Sequence, residues 1–214
     1  MREVDYGLMF VTDERVRADE DFFALLEAAL QGGVTIVQLR EKQLDTRTFY
    51  ERAIRAKELC HAHHVPFIIN DRVDIALAID ADGVHIGQRD LPHIVTRRLL
   101  GKDKIIGLSI STPAQASAAQ QYPIDYIGLS PIFSTATKQT HLAPPLGLDG
   151  LSHIRTLFDR PIVSIGGIQL ENARAVIEHG SDGLAVVSAI SKAVQPVAAT
   201  AALKQIVSTY AKNR

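Results

Sequence analysis

Asp71 and Asp90 each stand just past a short apolar run. Pro66-Phe67-Ile68-Ile69-Asn70 precedes the first, and Gly83-Val84-His85-Ile86-Gly87-Gln88-Arg89 precedes the second. A third run, Val34-Thr35-Ile36-Val37-Gln38, leads into Leu39-Arg40-Glu41-Lys42. Carboxylates and strong cations thus gather where strands stop. If those strands are parallel neighbours, Gln38, Arg40, Lys42, Asn70, Asp71 and Asp90 share one rim. Mg2+ takes one or two carboxylates and completes its shell with substrate oxygens and water. Arg and Lys offset the remaining phosphate charge. Either aspartate alone reads better as a helix cap; the set together favours a metal and a diphosphate.

The C-terminal third offers a second anion site. Val163-Ser164-Ile165-Gly166-Gly167-Ile168 reads as a strand ending in paired glycines, and Leu184-Ala185-Val186-Val187-Ser188 as the next strand opening a helix. In a barrel of alternating strands and helices, the loops after strands seven and eight commonly cradle phosphate. Glycines let backbone N–H groups approach the oxygens, and a helix dipole adds partial positive charge. The plainer reading is two tight turns. Between these regions, Gly128-Leu129-Ser130-Pro131-Ile132-Phe133-Ser134-Thr135-Ala136-Thr137-Lys138 runs on to Pro144-Pro145-Leu146-Gly147. That connection is longer than usual and reads as a binding loop or as a solvated one. Ser109 ends another run, as a ligand contact or a helix cap; Gly-x-Ser-x-Gly is absent, so it is no nucleophile elbow.

Eight short runs could carry these groups: near Tyr6–Val11, Val34–Leu39, Pro66–Asn70, Gly83–Ile86, Lys104–Ser109, Tyr126–Ser130, Pro161–Ile165 and Gly183–Val187. Most are continuously apolar, as expected of parallel strands buried on both faces. Helical patterns lie between them, over Glu20–Leu30 with Asp19 as its N-cap, Thr46–His63, Leu170–His179 and Val194–Tyr210. An Asp-Gly pair launches a strand at Asp82-Gly83 and again at Asp182-Gly183, with Asp125-Tyr126 a looser variant. Strict alternation predicts an α/β fold, a single-domain (β/α)8 TIM barrel over residues 1–214. A doubly wound sheet is the runner-up, weakened because no Gly-x-Gly-x-x-Gly follows the first strand. Lys and Arg total 23 against 24 Asp and Glu, so global charge points to neither nucleic acid nor an anionic membrane. The one cysteine, Cys60, excludes an internal disulfide and suits a reducing cytosol. No apolar run reaches the roughly 18–20 residues of a membrane span, and the first residues lack the pattern of a secretory signal. The expected setting is the cytoplasm; the sequence leaves homo-oligomerisation open.

Taken together, Gln38-Leu39-Arg40-Glu41-Lys42, Asn70-Asp71, His85-Ile86-Gly87-Gln88-Arg89-Asp90, Thr135-Ala136-Thr137-Lys138, Pro145-Leu146-Gly147-Leu148 and Ile165-Gly166-Gly167-Ile168 resemble, in order and spacing, the motifs of thiamine-phosphate synthases. The resemblance covers nearly the whole chain. It implies an enzyme that condenses 4-amino-2-methylpyrimidine-5-methanol diphosphate with a thiazole phosphate, or its 2-carboxylate, to give thiamine phosphate and diphosphate. It implies that Gln38, Leu39, Arg40, Glu41, Lys42, Asn70, Ser109 and Lys138 contact the pyrimidine diphosphate, with Arg40, Lys42, Ser109 and Lys138 catalytic. It further implies that Asp71 and Asp90 hold one Mg2+ per subunit. Thr135, Ala136 and Thr137 would meet the thiazole phosphate, with Gly167, Val187 and Ser188 completing its site. The family is thought to react dissociatively, so the protein supplies alignment and electrostatic stabilisation and no nucleophile.

Two rival readings attach to the same residues: a thiazole-phosphate tautomerase, and a non-catalytic regulator that binds thiamine phosphate. After Ser109 many family members carry His where this chain reads Ile110-Ser111-Thr112. The tautomerase is thought to use that His and tends to lose the aspartate after the Asn, so the absent His and the intact Asp71 both speak against it. A regulator has no need of Asp71, Asp90, Lys42 and Lys138. Cys60, His61, His63 and His64 look like metal ligands on paper but read better as a solvated helix end before Pro66. His85 reads as a satisfied core or rim histidine.

Overall fold

A computed structural model describes residues 4–13, 18–134 and 144–210. Eight parallel strands close into a barrel: β1 (Leu8–Val11), β2 (Ile36–Leu39), β3 (Phe67–Asn70), β4 (Gly83–Ile86), β5 (Ile105–Ile110), β6 (Tyr126–Leu129), β7 (Ile162–Ile165) and β8 (Gly183–Val186). Each strand pairs with its sequence neighbours, and β8 returns to β1 through Leu8↔Leu184. The helices are α1 (Asp19–Gln31), α2 (Thr46–Ala62), α3 (Val73–Ala78), α4 (His93–Leu100), α5 (Pro113–Ala119), α6 (Gly147–Leu157), α7 (Leu170–Glu178), the short α8 (Ser188–Ser191) and α9 (Pro196–Tyr210).

The strands are apolar throughout because both of their faces are buried. Alternate side chains of β1 show the division. Leu8 and Phe10 pack outward with the helices, while Met9 and Val11 pack inside the barrel with Ile36, Ile68, Tyr126 and Val163. Every expected strand is present: β4 spans the expected residues, β5 is shifted by one to end at Ile110, and the other six are shorter by up to a few residues. Tyr6 and Val34-Thr35, for instance, lie ahead of the ladder. Thr35 instead serves the strand start, its Oγ1 accepting the Leu8 N–H at 2.9 Å.

The Asp-Gly echo has the same purpose. Asp82, Asp125 and Asp182 precede β4, β6 and β8, and each carboxylate accepts an N–H from the strand before: Phe67 at 2.7 Å, Ile106 at 2.7 Å and Ile162 at 2.8 Å. Each is also paired with a basic side chain, from His61, Arg97 and Arg155 respectively. These clamps close the N-terminal end of the barrel and leave the C-terminal rim to the site.

One expected cap is wrong. The N-cap of α1 is Ala18, and Asp19 is the first helical residue. Its carboxylate is taken by Arg52 and Arg55. Asp45 does cap α2, accepting N–H groups from Arg47 and Thr48 at 3.0 and 3.1 Å. The histidines near Pro66 are separately engaged: His61 with Asp82 at 2.7 Å and His63 with Glu27 at 3.1 Å, while Cys60 is buried. Among the described residues, no group of three or more His, Cys, Asp or Glu could hold a metal ion. No described helix is long and apolar enough to cross a membrane.

Candidate active site

A cavity of about 140 Å³ opens among the C-terminal ends of the strands. Gln38, Arg40, Asn70 and Ser109 line it from β2, β3 and β5, and Gly167, Val187 and Ser188 line it from the β7 and β8 side. The two halves expected from the sequence therefore face one space. Arg40 is fixed by its backbone: its N–H donates to Thr12 Oγ1 at 2.9 Å, and its carbonyl accepts from that hydroxyl at 3.1 Å.

The carboxylates lie on the adjoining rim. Asp71 follows the last residue of β3, with a left-handed φ of 60°. Its side chain meets the Lys42 ammonium and lies beside the Asp90 carboxyl. Asp90 reaches back across its own loop to accept the Gly87 N–H at 2.7 Å. Neither is a helix cap, because Arg72 and Pro92 hold the N-cap positions of α3 and α4. Ser109 is not one either, because Thr112 caps α5.

Burial works against charge on Asp71, but the Lys42 ammonium and the neighbouring Asp90 carboxyl outweigh it and hold its carboxyl below the usual range. Burial pushes Asp90 up, and the neighbouring Asp71 adds to this against the Gly87 N–H. Two carboxylates this close cannot both ionise cheaply without a cation. A hard divalent ion with these two oxygen ligands and otherwise water or phosphate oxygens fits that arrangement.

Other expected residues sit differently. Leu39 is fully buried among the outer core. Glu41 turns from the cavity: one oxygen accepts N–H groups from Lys42 and Gln43, at 3.0 and 3.3 Å, and the other accepts from Arg52 Nη1 at 3.2 Å. Its position shapes the Lys42 turn. Thr135, Ala136, Thr137 and Lys138 lie outside the described residues. Ser111, the position after Ser109 and Ile110, gives its N–H and its hydroxyl to Gln115 Oε1 at 2.9 and 3.2 Å, a local turn ahead of α5.

The paired glycines are required by shape. Gly166 and Gly167 have φ of 108° and 64°, and a Cβ at Gly167 would come 2.7 Å from the Ser134 carbonyl oxygen. The β7 end thus lies bare against the β6 loop. Sequence reasoning missed Thr12, Asp13 and Tyr126 in the lining. Only the position of Thr12 just past a strand end could have pointed to it.

The family model for thiamine monophosphate synthase matches residues 8–190. The chain belongs to that family. It is 48% identical to thiamine-phosphate synthase of Clostridium acetobutylicum over 193 residues, 90% of each chain. It is 47% identical to the enzyme of the same name from Albidiferax ferrireducens, covering 94% of this chain and 91% of that one. Among solved structures, thiamine phosphate pyrophosphorylase from Pyrococcus furiosus superposes with a TM-score of 0.85 at 36% identity, covering 97% of this chain and 98% of that one. Family membership thus agrees with the barrel.

Proposed function

We propose that this protein joins an aminopyrimidine methyl diphosphate to a thiazole phosphate, releasing diphosphate and forming thiamine phosphate in the cytoplasm. The observation that carries this reading is the meeting of Lys42, Asp71 and Asp90 on the rim of a cavity lined by Arg40 and Asn70. A leaving-group clamp of that kind suits C–O bond cleavage. Asp71 and Asp90 would hold one Mg2+ per subunit, whose charge adds to that of the clamp on the departing diphosphate. Arg40 and Lys42 spread the negative charge that grows on the diphosphate oxygens, a stabilisation that is strong where water is excluded. Lys138 would join them from the segment beyond the described residues.

Loss of diphosphate leaves a methylene cation that the electron-rich aminopyrimidine stabilises, and the thiazole nitrogen closes the new C–N bond. Gln38, Asn70 and Ser109 align the pyrimidine. Gly167, Val187 and Ser188 hold the thiazole phosphate from the opposite wall; Thr135, Ala136 and Thr137, outside the described residues, are assigned to the same phosphate by the family resemblance. Fixing both reactants in one cavity supplies much of the rate.

The test is thiamine phosphate formation with both substrates, with and without Mg2+. Product and diphosphate should appear together and depend on the metal. Asp71→Ala should lower kcat by about a hundredfold or more, the scale of losing one electrostatic stabiliser. Isomerisation of a thiazole phosphate carboxylate with no diphosphate release would overturn the reading, as would tight binding of thiamine phosphate with no turnover.

A further inference from the structure

Beneath Ser109 lies a buried chain of polar groups that the reaction as described leaves unused. Tyr126 is fully buried inside the barrel, and its phenol oxygen lies 2.8 Å from His85 Nδ1. His85 Nε2 lies 2.9 Å from Ser109 Oγ, which lines the cavity. The barrel is cut away to admit these rings. A Cβ at Gly107 would come 2.2 Å from Tyr126, and one at Gly128 would come 2.6 Å from His85.

The direction of the chain follows from its closed end. A buried phenol must place its hydrogen on an acceptor, and the acceptor within reach is His85 Nδ1. A neutral imidazole that accepts at Nδ1 carries its proton on Nε2. That proton goes to Ser109 Oγ, so the serine hydroxyl is left to donate into the cavity. The reverse direction would strand the phenol hydrogen in the core and turn Ser109 into an acceptor.

We infer that Tyr126 and His85 are positioning residues that hold Ser109 as a hydrogen-bond donor, selecting a ligand that presents an acceptor atom such as an aromatic ring nitrogen. The inference rests on the reading above only for the identity of that ligand.

Nitrogen NMR of the full-length protein labelled with 15N-histidine, without ligand, tests the polarity, with the His85 signals assigned by their loss in His85→Asn. The expected result is an unprotonated Nδ1 and a protonated Nε2. A protonated Nδ1, with or without a proton on Nε2, would overturn the inference whatever reaction the protein catalyses. A second measurement compares binding of the aminopyrimidine methanol with that of analogues in which one ring nitrogen or the other is CH. One replacement should weaken binding to the unaltered protein by about five- to tenfold, the worth of one neutral hydrogen bond. That preference should vanish in Ser109→Ala and shrink in Tyr126→Phe, whereas a purely structural role would lower binding of all the ligands alike. Equal binding of all three ligands to the unaltered protein would refute the placement of the pyrimidine against Ser109 but leave the NMR result standing.

Discussion

Arg52 Nη1 lies 3.2 Å from Glu41 Oε2, with both side chains only 5% exposed. The same guanidinium donates to Asp19 Oδ1 at 3.1 and 2.8 Å and lies over the Phe22 ring. One buried cation thus ties α1 and α2 to the turn that carries Lys42. Removing one partner of such a pair leaves the other charge buried and uncompensated, at a cost of about 3–5 kcal/mol. Arg52→Ala should lower the urea midpoint accordingly, with little change in the slope of the transition. A loss below about 1 kcal/mol, the scale of an exposed pair, would contradict the burial argument.

The aspartate clamps at the other end of the barrel should be separable from function. Asp182→Ala removes the acceptor for the Ile162 N–H and the partner of Arg155. Leaving such groups unpaired costs about 1–3 kcal/mol. Asp82→Ala should behave similarly, because its carboxylate holds the Phe67 N–H. The double variant should show the sum of the two losses, as distant sites do. Thermal melts would measure this. Activity well below the melting range should stay close to that of the unaltered protein, since both clamps lie opposite the cavity.

How far these features could be read from sequence depended on the kind of contact. The strands were legible because burial on both faces makes their runs continuously apolar. Their limits were not, since Val34-Thr35 is as β-prone as the ladder it precedes. The helices α3, α4 and α5 span 6, 8 and 7 residues, too short to display a clear helical period. Asp71 and Asp90 stood out as charges ending apolar runs, and they do meet. Glu41 looked equally functional, but only the fold places Arg52 beside it, one helix away. The Asp-Gly echo was visible, yet nothing local shows that its aspartate accepts an N–H from the preceding strand. His85 and Tyr126 touch across 41 positions of sequence through the barrel interior, a contact that no local pattern encodes.

Alkaline pH should destabilise the fold in a defined direction. Burial pushes the Cys60 thiol and the Tyr126 and Tyr6 phenols well above their ordinary values of 9.0 and 10.0. The folded chain therefore keeps protons that the unfolded chain releases. Linkage makes stability fall with pH wherever the unfolded state binds fewer protons. The contribution is complete below about pH 8, where the unfolded groups are still protonated, and is lost progressively above pH 9 to 10. Chemical denaturation between pH 8 and 10.5 should show this decline, and Tyr126→Phe should lessen its steepness. Cys60 should resist thiol reagents until the chain unfolds, because reactivity needs an accessible thiolate. Rapid labelling of the native protein at pH 8 would contradict this.

Gly128→Ala should disable the site more than the fold. Gly128 lies in β6 with ordinary backbone geometry, so alanine brings no conformational strain of its own there. The added methyl would meet His85 Cε1 at 2.6 Å, closer than packed carbon atoms approach. The imidazole must shift, and His85 cannot then keep both Tyr126 at 2.8 Å and Ser109 at 2.9 Å. Overpacking a core position typically costs about 1–3 kcal/mol, so most of the protein should remain folded. Misplacing a positioning group by about 1 Å can cost a hundredfold in rate. Steady-state kinetics should therefore show kcat/KM for the pyrimidine diphosphate falling by about tenfold to a hundredfold, while KM for the thiazole phosphate, bound at the opposite wall, changes little. An equal rise in both KM values would point to a general loosening of the barrel and away from a defect centred on His85.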